Sequence, residues 1–249
     1  MDTFMLSCFF LAGRYPDYCT NSYCVAGLKN VGCDPPPITG GVACSGKNST
    51  VVELSQTDRI DFMDGLNNAR HRIARGRFAP IFPTAKRMLK LHWSATLAAQ
   101  AGHNARGCVF KKDECRNTPR FSDVGQSVVL LEIPDSDSYS TLDLWSILLL
   151  ETDNEFSKYL SGAASSSSYS ASAGVENVSN FVNDRSFKVG CAVQHWLEDG
   201  GAKMFYMVCN FSANLIEGEP LYTFGATATG CVSGTDIDYP ALCSAKEVP

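Results

Sequence analysis

Cysteine carries the clearest chemical signal in this chain. Eleven cysteines occur, and Cys8 lies apart from the others in an apolar N-terminal stretch. Ten cysteines can form five disulfides, whereas a zinc site needs close pairs such as C-x-x-C, which are absent. Because disulfides persist mainly outside the reducing cytosol, the pattern predicts an extracellular protein. The ten are Cys19, Cys24, Cys33, Cys44, Cys108, Cys115, Cys191, Cys209, Cys231 and Cys243.

Histidine is the second residue type that could do chemistry, because imidazole binds metals and moves protons near neutral pH. The four histidines are His71, His92, His103 and His195, and no two of them have the spacing of a metal-binding motif. No nucleophile elbow, P-loop or dinucleotide-binding fingerprint occurs either. A structural or surface role is therefore the default expectation for all four.

The overall composition narrows the classes of function. The chain has 249 residues, of which 45% are hydrophobic and 19% are charged, as expected for a folded domain. The net charge is −5, and no long run of lysine or arginine occurs. Nucleic-acid binding and a polybasic membrane anchor both need clustered positive charge, so neither is expected.

The N-terminus favours export. Residues 4–12 form a short apolar segment followed by Gly13, which predicts a signal peptide over residues 1–13. Asp2 in place of a basic residue is atypical, and a misassigned start is the alternative. Removal of this segment would remove Cys8 and leave an even number of cysteines. No later apolar run reaches membrane-spanning length, so we expect no membrane span.

Periodicity predicts the elements that hold these residues. Apolar spacing indicates a helix from Ile60 to Gly76, and Ser94 can cap a second helix that ends near Arg106. A buried strand is expected at Gln126–Glu132 and a third helix at Thr141–Leu160. The serine-rich segment 161–174 is predicted to be a flexible loop.

A hairpin follows, and its geometry is checkable. Two strand-like segments, Phe187–Trp196 and Lys203–Asn210, flank a glycine-containing turn. If the turn centres on Gly200, Cys191 and Cys209 lie equally far from it and face each other across the ladder. Their pairing is thus predicted from geometry. Helices interleaved with antiparallel strands indicate an α+β layered domain.

Five motifs follow one another along the chain: Asn67-Asn68-Ala69-Arg70, Leu91-His92-Trp93, Cys115-Arg116-Asn117-Thr118, Val189-Gly190-Cys191-Ala192 and Val208-Cys209-Asn210-Phe211-Ser212. In this order they resemble the motifs of one family, the superfamily of cysteine-rich secretory proteins, antigen 5 and pathogenesis-related proteins. The four-cysteine N-terminal segment is similar to the insect antigen 5 branch, whose members include venom-allergen-like proteins.

The resemblance implies a three-layer α-β-α sandwich and a division of the chain. A cysteine-rich arm would cover residues 14–52, the family domain residues 53–212 and a C-terminal extension residues 213–249. The implied disulfides are Cys19–Cys33, Cys24–Cys115, Cys44–Cys108, Cys191–Cys209 and Cys231–Cys243, the last of which resembles an extension in biting-fly relatives.

The resemblance also implies a cleft, which in many members holds two histidines and two acidic residues and in some binds zinc. The corresponding positions here are Leu66, Gln126, Leu148 and Asn177. Glu151 could approach the cleft from one turn beyond Leu148. None of the four residues is a metal ligand of the expected type, so no metal and no cofactor are predicted. The leucines would either fill the core or line an apolar channel.

These observations favour a secreted, non-enzymatic protein that binds an extracellular partner or a small lipid-like ligand. The alternative is a secreted hydrolase or protease that uses a degenerate cleft. The protein is expected to be a monomer. Three N-glycosylation sequons begin at Asn48, Asn177 and Asn210. A glycan on Asn177 would be hard to reconcile with an open catalytic cleft.

Overall fold

The computed structural model describes residues 16–20, 22–134 and 152–247. The predicted signal peptide, Cys8, Leu148 and Glu151 lie outside the described residues.

A five-stranded sheet forms the middle of the molecule. Its hydrogen-bonded order is β1-β5-β6-β4, with antiparallel neighbours, and β3 pairs with β5 in parallel. A separate antiparallel pair joins β2 to β7. The strands are β1 (Thr50–Val52), β2 (Ala85–Arg87), β3 (His92–Trp93), β4 (Gly125–Ile133), β5 (Lys188–Leu197), β6 (Lys203–Phe211) and β7 (Thr223–Phe224).

The predicted hairpin is confirmed. Strands β5 and β6 pair antiparallel, and Cys191 is the register partner of Cys209. Their Cα atoms are 4.1 Å apart and their sulfurs form a disulfide. The register follows from the turn, because Gly200 and Gly201 both have positive φ values of 103° and 88° that other residues rarely adopt.

Among the residues that the structure describes, four α-helices surround the sheet. They are α1 (Gln56–Ala74), α2 (Ala95–Ala105), α3 (residues 152–160) and α4 (Glu176–Val182). Helix α1 begins four residues before the predicted start because Ser55 and Asp58 form a capping box, in which each side chain accepts a hydrogen bond from the other's backbone N–H. Helix α2 begins after Ser94 as predicted, since the Ser94 hydroxyl accepts a hydrogen bond from the Leu97 N–H.

Helices cover both faces of the sheet, and alternate residues of β6 pack against helices on opposite faces. Tyr206 and Val208 pack with Ala101 and Ala105 of α2. On the other face, a larger cluster joins strand residues to α1, α3 and α4; it includes Leu66, Ile73, Tyr159, Val178, Phe205, Met207 and Cys209. Both faces being covered explains why β6 is almost continuously apolar. The predicted α-β-α sandwich is confirmed.

The described residues contain five disulfides, which join the pairs that the family resemblance implies: Cys19–Cys33, Cys24–Cys115, Cys44–Cys108, Cys191–Cys209 and Cys231–Cys243. The second and third attach the N-terminal segment to the chain that follows α2. The C-terminal segment is not a loose appendage, because Leu221, Tyr222 and Leu242 are fully buried in the main core.

The serine-rich segment 161–174 differs from its prediction as a flexible loop. Ser166 is buried and its hydroxyl donates to the Ile81 carbonyl oxygen at 2.6 Å. The Tyr169 N–H donates to the Glu219 carbonyl oxygen at 2.8 Å. Small serines let the backbone approach the core closely while their hydroxyls satisfy carbonyl groups, which composition alone does not reveal.

Candidate functional site

Leu66 lies on the buried face of α1, only 2% exposed, within the main core. Hydrogen bonds from two polar residues of the same helix, Asn67 and Arg70, hold it against other segments of the chain. Asn67 accepts a hydrogen bond from the Leu91 N–H and donates to the Leu91 carbonyl oxygen. Arg70, fully buried, donates to the carbonyl oxygens of Leu89, Phe181, Asn183 and Ser186. Leu66 is therefore a fixed core residue.

Gln126 is held in a closed polar network and is 2% exposed. Its amide nitrogen donates to Asp113 at 2.7 Å and to the Asn210 side chain at 3.0 Å, and its carbonyl oxygen accepts from the Asp113 N–H at 3.1 Å. Arg116 in turn pairs with Asp113. The amide is satisfied by neighbouring protein groups and is turned toward Asp113 in the segment that follows α2.

Asn177 lies in the first turn of α4 and is 8% exposed. Helix α4 begins without a side-chain cap at Val175. The group that meets its first turn comes from α3: the Glu155 carboxylate accepts a hydrogen bond from the Val178 N–H at 2.7 Å. Tyr159, one turn further along α3, is hydrogen-bonded to the Ser179 hydroxyl at 2.7 Å. The two helices are thus joined by polar contacts as well as by packing.

Glu155 is the site residue that sequence reasoning missed. It is 6% exposed, in contrast to the usual exposure of glutamate. The resemblance assigned the acidic position to Leu148, seven residues earlier, and considered only Glu151 as a substitute. The available signal was the spacing to Tyr159, because residues four apart share one helix face.

The pKa of the Glu155 carboxyl is shifted from its ordinary value into the neutral pH range. Burial raises its pKa to about 7, although hydrogen bonds from the backbone N–H groups of Val178 and Asn177 favour the ionised form. Nearby Glu176 raises the pKa further and Lys158 opposes it. A buried carboxyl with this pKa could in principle transfer a proton at neutral pH.

The four histidines are distributed over other parts of the molecule. His71 accepts a hydrogen bond from the Ala241 N–H, His92 is in β3, His103 contacts Arg106 and His195 packs against Phe205. Burial lowers the pKa of all four imidazoles, so they are neutral at pH 7.

The donor set does not fit a zinc site of the kind the resemblance implies. Within the described ranges, only Cys19, Cys33 and Asp34 bring three ligand-type side chains together, and both sulfurs belong to a disulfide. Leu66 and Asn177 offer no imidazole to join Glu155. No mechanistic step through a metal is derived for this site.

The three candidate glycosylation sites differ in their exposure to solvent. Asn210 is fully buried and its amide nitrogen donates to the Leu97 carbonyl oxygen at 3.3 Å, while Asn177 is buried in α4. Neither position has room for a glycan in the folded protein, which corrects these two predictions. Asn48 is exposed, and its glycosylation stays a prediction.

Comparison with known proteins identifies the scaffold. The sequence model of the cysteine-rich secretory protein family matches residues 63–211. The chain belongs to this family. Venom allergen-1 of Aedes albopictus is 33% identical over 241 residues, which cover 96% of this chain and 91% of that protein. Tabinhibitin 3 of Tabanus yao is 33% identical over 238 residues, which cover 93% and 88%. The predicted resemblance is confirmed.

Solved structures of family members share the fold. NaASP2, in a crystal structure with Zn²⁺, aligns with a TM-score of 0.57 at 22% identity over 77% of this chain and 97% of that one. Na-ASP-1 aligns with a TM-score of 0.63 at 20% identity over 84% of this chain and 51% of that one. Among the described helices, none has the length and apolar character needed to cross a membrane.

Proposed function

We propose that this family member is a secreted, non-catalytic protein that binds an extracellular partner or a small apolar ligand. The observation that carries the proposal is the occupation of the three described cleft positions by side chains that are already used in packing. Leu66 is part of the core, Gln126 is saturated with protein hydrogen bonds, and Asn177 contributes a buried amide.

The buried acidic group in the region, Glu155, supports a structural role. The Glu155 carboxylate accepts a hydrogen bond from the first turn of α4, and it replaces the side-chain cap that this helix lacks. The nearest hydroxyl on α4, that of Ser179, donates to the Val175 carbonyl oxygen and contacts Tyr159. It has no imidazole partner to activate it as a nucleophile.

The names of relatives point in the same direction. Several similar proteins of Tabanus yao are called tabinhibitins, a name that indicates inhibition. Inhibition is achieved by binding. The protein would then act through recognition, which suits a rigid scaffold with five disulfides that resists unfolding outside the cell.

A hydrolase is the second candidate, and the pKa of Glu155 is the observation in its favour. A carboxyl with a pKa of about 7 is suited to general acid–base catalysis. The two candidates differ in what Glu155→Gln should do, since the variant retains an acceptor for the Val178 N–H but cannot transfer a proton.

The test uses the full chain, secreted from insect cells and purified without chelators. We expect less than about 0.1 zinc per chain by elemental analysis and no Glu155-dependent hydrolysis of casein or of p-nitrophenyl esters. Stoichiometric zinc, or turnover that Glu155→Gln abolishes, would contradict the proposal. Native mass spectrometry followed by lipid extraction then separates the two binding modes. A co-purifying lipid indicates a small-ligand protein, and a bare mass indicates recognition of a partner.

The same mass spectrum tests the proposed processing. We propose that residues 1–13 are removed on export, that Asn48 is the glycosylated sequon and that the secreted protein is a monomer. This arrangement is supported if the measured mass, after the glycan is removed, equals that of an unmodified polypeptide that begins near Arg14.

A further inference from the structure

Two adjoining surface cavities lie at the edge of the sheet, away from the cleft positions. The first has a volume of about 290 Å³ and is lined by Trp93, Thr96 and Phe121 among others. The second has a volume of about 220 Å³ and is lined by His92, Phe187 and Lys246 among others. Both share Arg120 and Lys188, which lie where the cavities meet. We call the joined cavities the Arg120 groove.

The local fold explains why these residues converge. His92 of β3 is the register partner of Lys188 of β5, and the two strands run parallel. Neighbouring Phe187 meets the Phe121 ring edge to face, with centroids 5.9 Å apart. The Arg120 guanidinium lies over both rings, at 5.6 Å and 6.0 Å from their centroids. A cation–π contact of this kind holds the guanidinium over the groove.

The groove carries positive charge without a matching negative charge. Among the described residues, no carboxylate lies within salt-bridge distance of Arg120, Lys188 or Lys246. Burial and the proximity of Arg120 lower the pKa of Lys188, which reports the cost of holding the two cations together.

Other charged groups in the second cavity are already engaged. Lys90 pairs with Asp236 at 3.0 Å. The Glu247 carboxylate pairs with Arg87 and accepts hydrogen bonds from the backbone N–H groups of Val232 and Ser233. They leave Arg120, Lys188 and Lys246 as the groups that can receive an anion, in a chain whose net charge is −5.

We infer that the Arg120 groove binds a sulfated polysaccharide, with sulfate groups on the three cations. Guanidinium and ammonium groups form strong charge-assisted hydrogen bonds to such oxyanions. The half-buried Trp93 offers apolar surface to the sugar rings. Ser94 and Thr96, at the start of α2, add hydroxyl groups to the same wall.

The arrangement favours a polymer over a small molecule. Arg120 and Lys188 are shared between two cavities in a row, Lys246 lines the second, and both cavities open at the surface, so successive charged sugars of one chain could use each in turn. This inference names a partner for the proposed extracellular binding role and rests on that role.

The experiment measures binding of the full-length secreted protein to immobilised heparin, with unsulfated heparosan as the reference surface. The test variant is Arg120→Gln with Lys188→Gln. The matched control is Arg75→Gln with Arg77→Gln, which removes the same charge at two exposed positions that line neither cavity. We expect heparin affinity to fall at least about tenfold in the test variant and less than about twofold in the control. Thermal unfolding of each variant verifies that it is folded.

Three results would overturn the inference: no heparin binding by the unmodified protein, equal losses in both variants, or equal binding to heparosan and heparin. Displacement of heparin by millimolar sodium decanoate alone would instead assign the groove to a small amphiphilic anion. All four leave the wider binding proposal intact, since that proposal is tested by zinc content, turnover and native mass.

Discussion

Gly190 lies where α2 crosses β5, and replacing it by alanine tests how tightly these two elements are packed. A Cβ atom built at this position would be 2.2 Å from the Ala98 backbone nitrogen and 2.4 Å from the Ser94 carbonyl oxygen. Both atoms belong to backbone, so no side chain can rotate away. Helix α2 would have to move by about 1 Å to restore ordinary van der Waals separations.

That movement is opposed by the contacts that start the helix. The Ser94 N–H donates to the Val189 carbonyl oxygen at 2.8 Å, and the Ser94 hydroxyl caps the Leu97 N–H. Overpacking of this type costs about 1–3 kcal/mol, and rigid backbone on both sides places Gly190→Ala at the upper end. Alanine also lowers the conformational entropy of the unfolded chain, which offsets about 0.4–1 kcal/mol of this cost. We expect a net loss of about 2 kcal/mol in the free energy of unfolding.

The chain supplies a matched control in the same interface. Gly102 lies within α2, and a Cβ there would meet the Ala192 Cβ at 3.6 Å, an ordinary contact. Gly102→Ala should therefore stabilise the protein by about 0.5–1 kcal/mol through helix propensity. Urea unfolding with the disulfides intact, followed by tryptophan fluorescence, measures both variants. Equal stability of Gly190→Ala and the unmodified protein, or an equal loss in both variants, would refute the packing argument.

Two further predictions concern buried charge. Burial raises the folded-state pKa of Glu155 from 4.5 to about 7, so the stability that its neutral form contributes is full below about pH 4.5 and is lost as the pH rises to about 7. Glu155→Gln should match the unmodified protein in urea unfolding at pH 4 and exceed it by about 3 kcal/mol at pH 8, and the same difference at both pH values would disprove the assignment. Arg70→Lys should cost about 3 kcal/mol or more, because one ammonium group cannot reach the four carbonyl groups that the guanidinium serves. The exposed Arg59→Lys is its control in thermal unfolding, and equal melting temperatures would contradict the prediction.

Local patterns were sufficient to predict α1, α2, β4 and the β5–β6 hairpin, whereas α4 and the short strands β1, β2, β3 and β7 were not predicted. The Ser94 cap, the apolar spacing of α1 and the turn at Gly200 act over a few residues, and each appears in the structure as expected. The facing of Cys191 and Cys209 follows from the two-residue period of a strand and the symmetry of a hairpin. The start of α1 was missed because the capping box at Ser55 precedes the first apolar residue.

The candidate sites depended on contacts between distant parts of the chain. Glu155 becomes a buried group only because α4 places its first-turn N–H groups against α3. Asn177 and Asn210 have the sequence of glycan acceptors, yet the layers on either side of the sheet bury them. Arg120, Lys188 and Lys246 are separated by up to 126 residues in the chain, and the sheet edge and the folded-back C-terminal segment bring them together.

The sequence by itself therefore determined the caps and apolar faces of α1 and α2 and the β5–β6 hairpin with its Cys191–Cys209 pair, because these follow from residue types at short, regular spacings, and its resemblance to a known family implied the other four disulfides. Only the tertiary structure decided which polar groups are buried, which are satisfied and which cations remain without a partner. Those properties depend on desolvation and on Coulombic contacts in three dimensions, and the one-dimensional order of residues does not encode them in any local pattern.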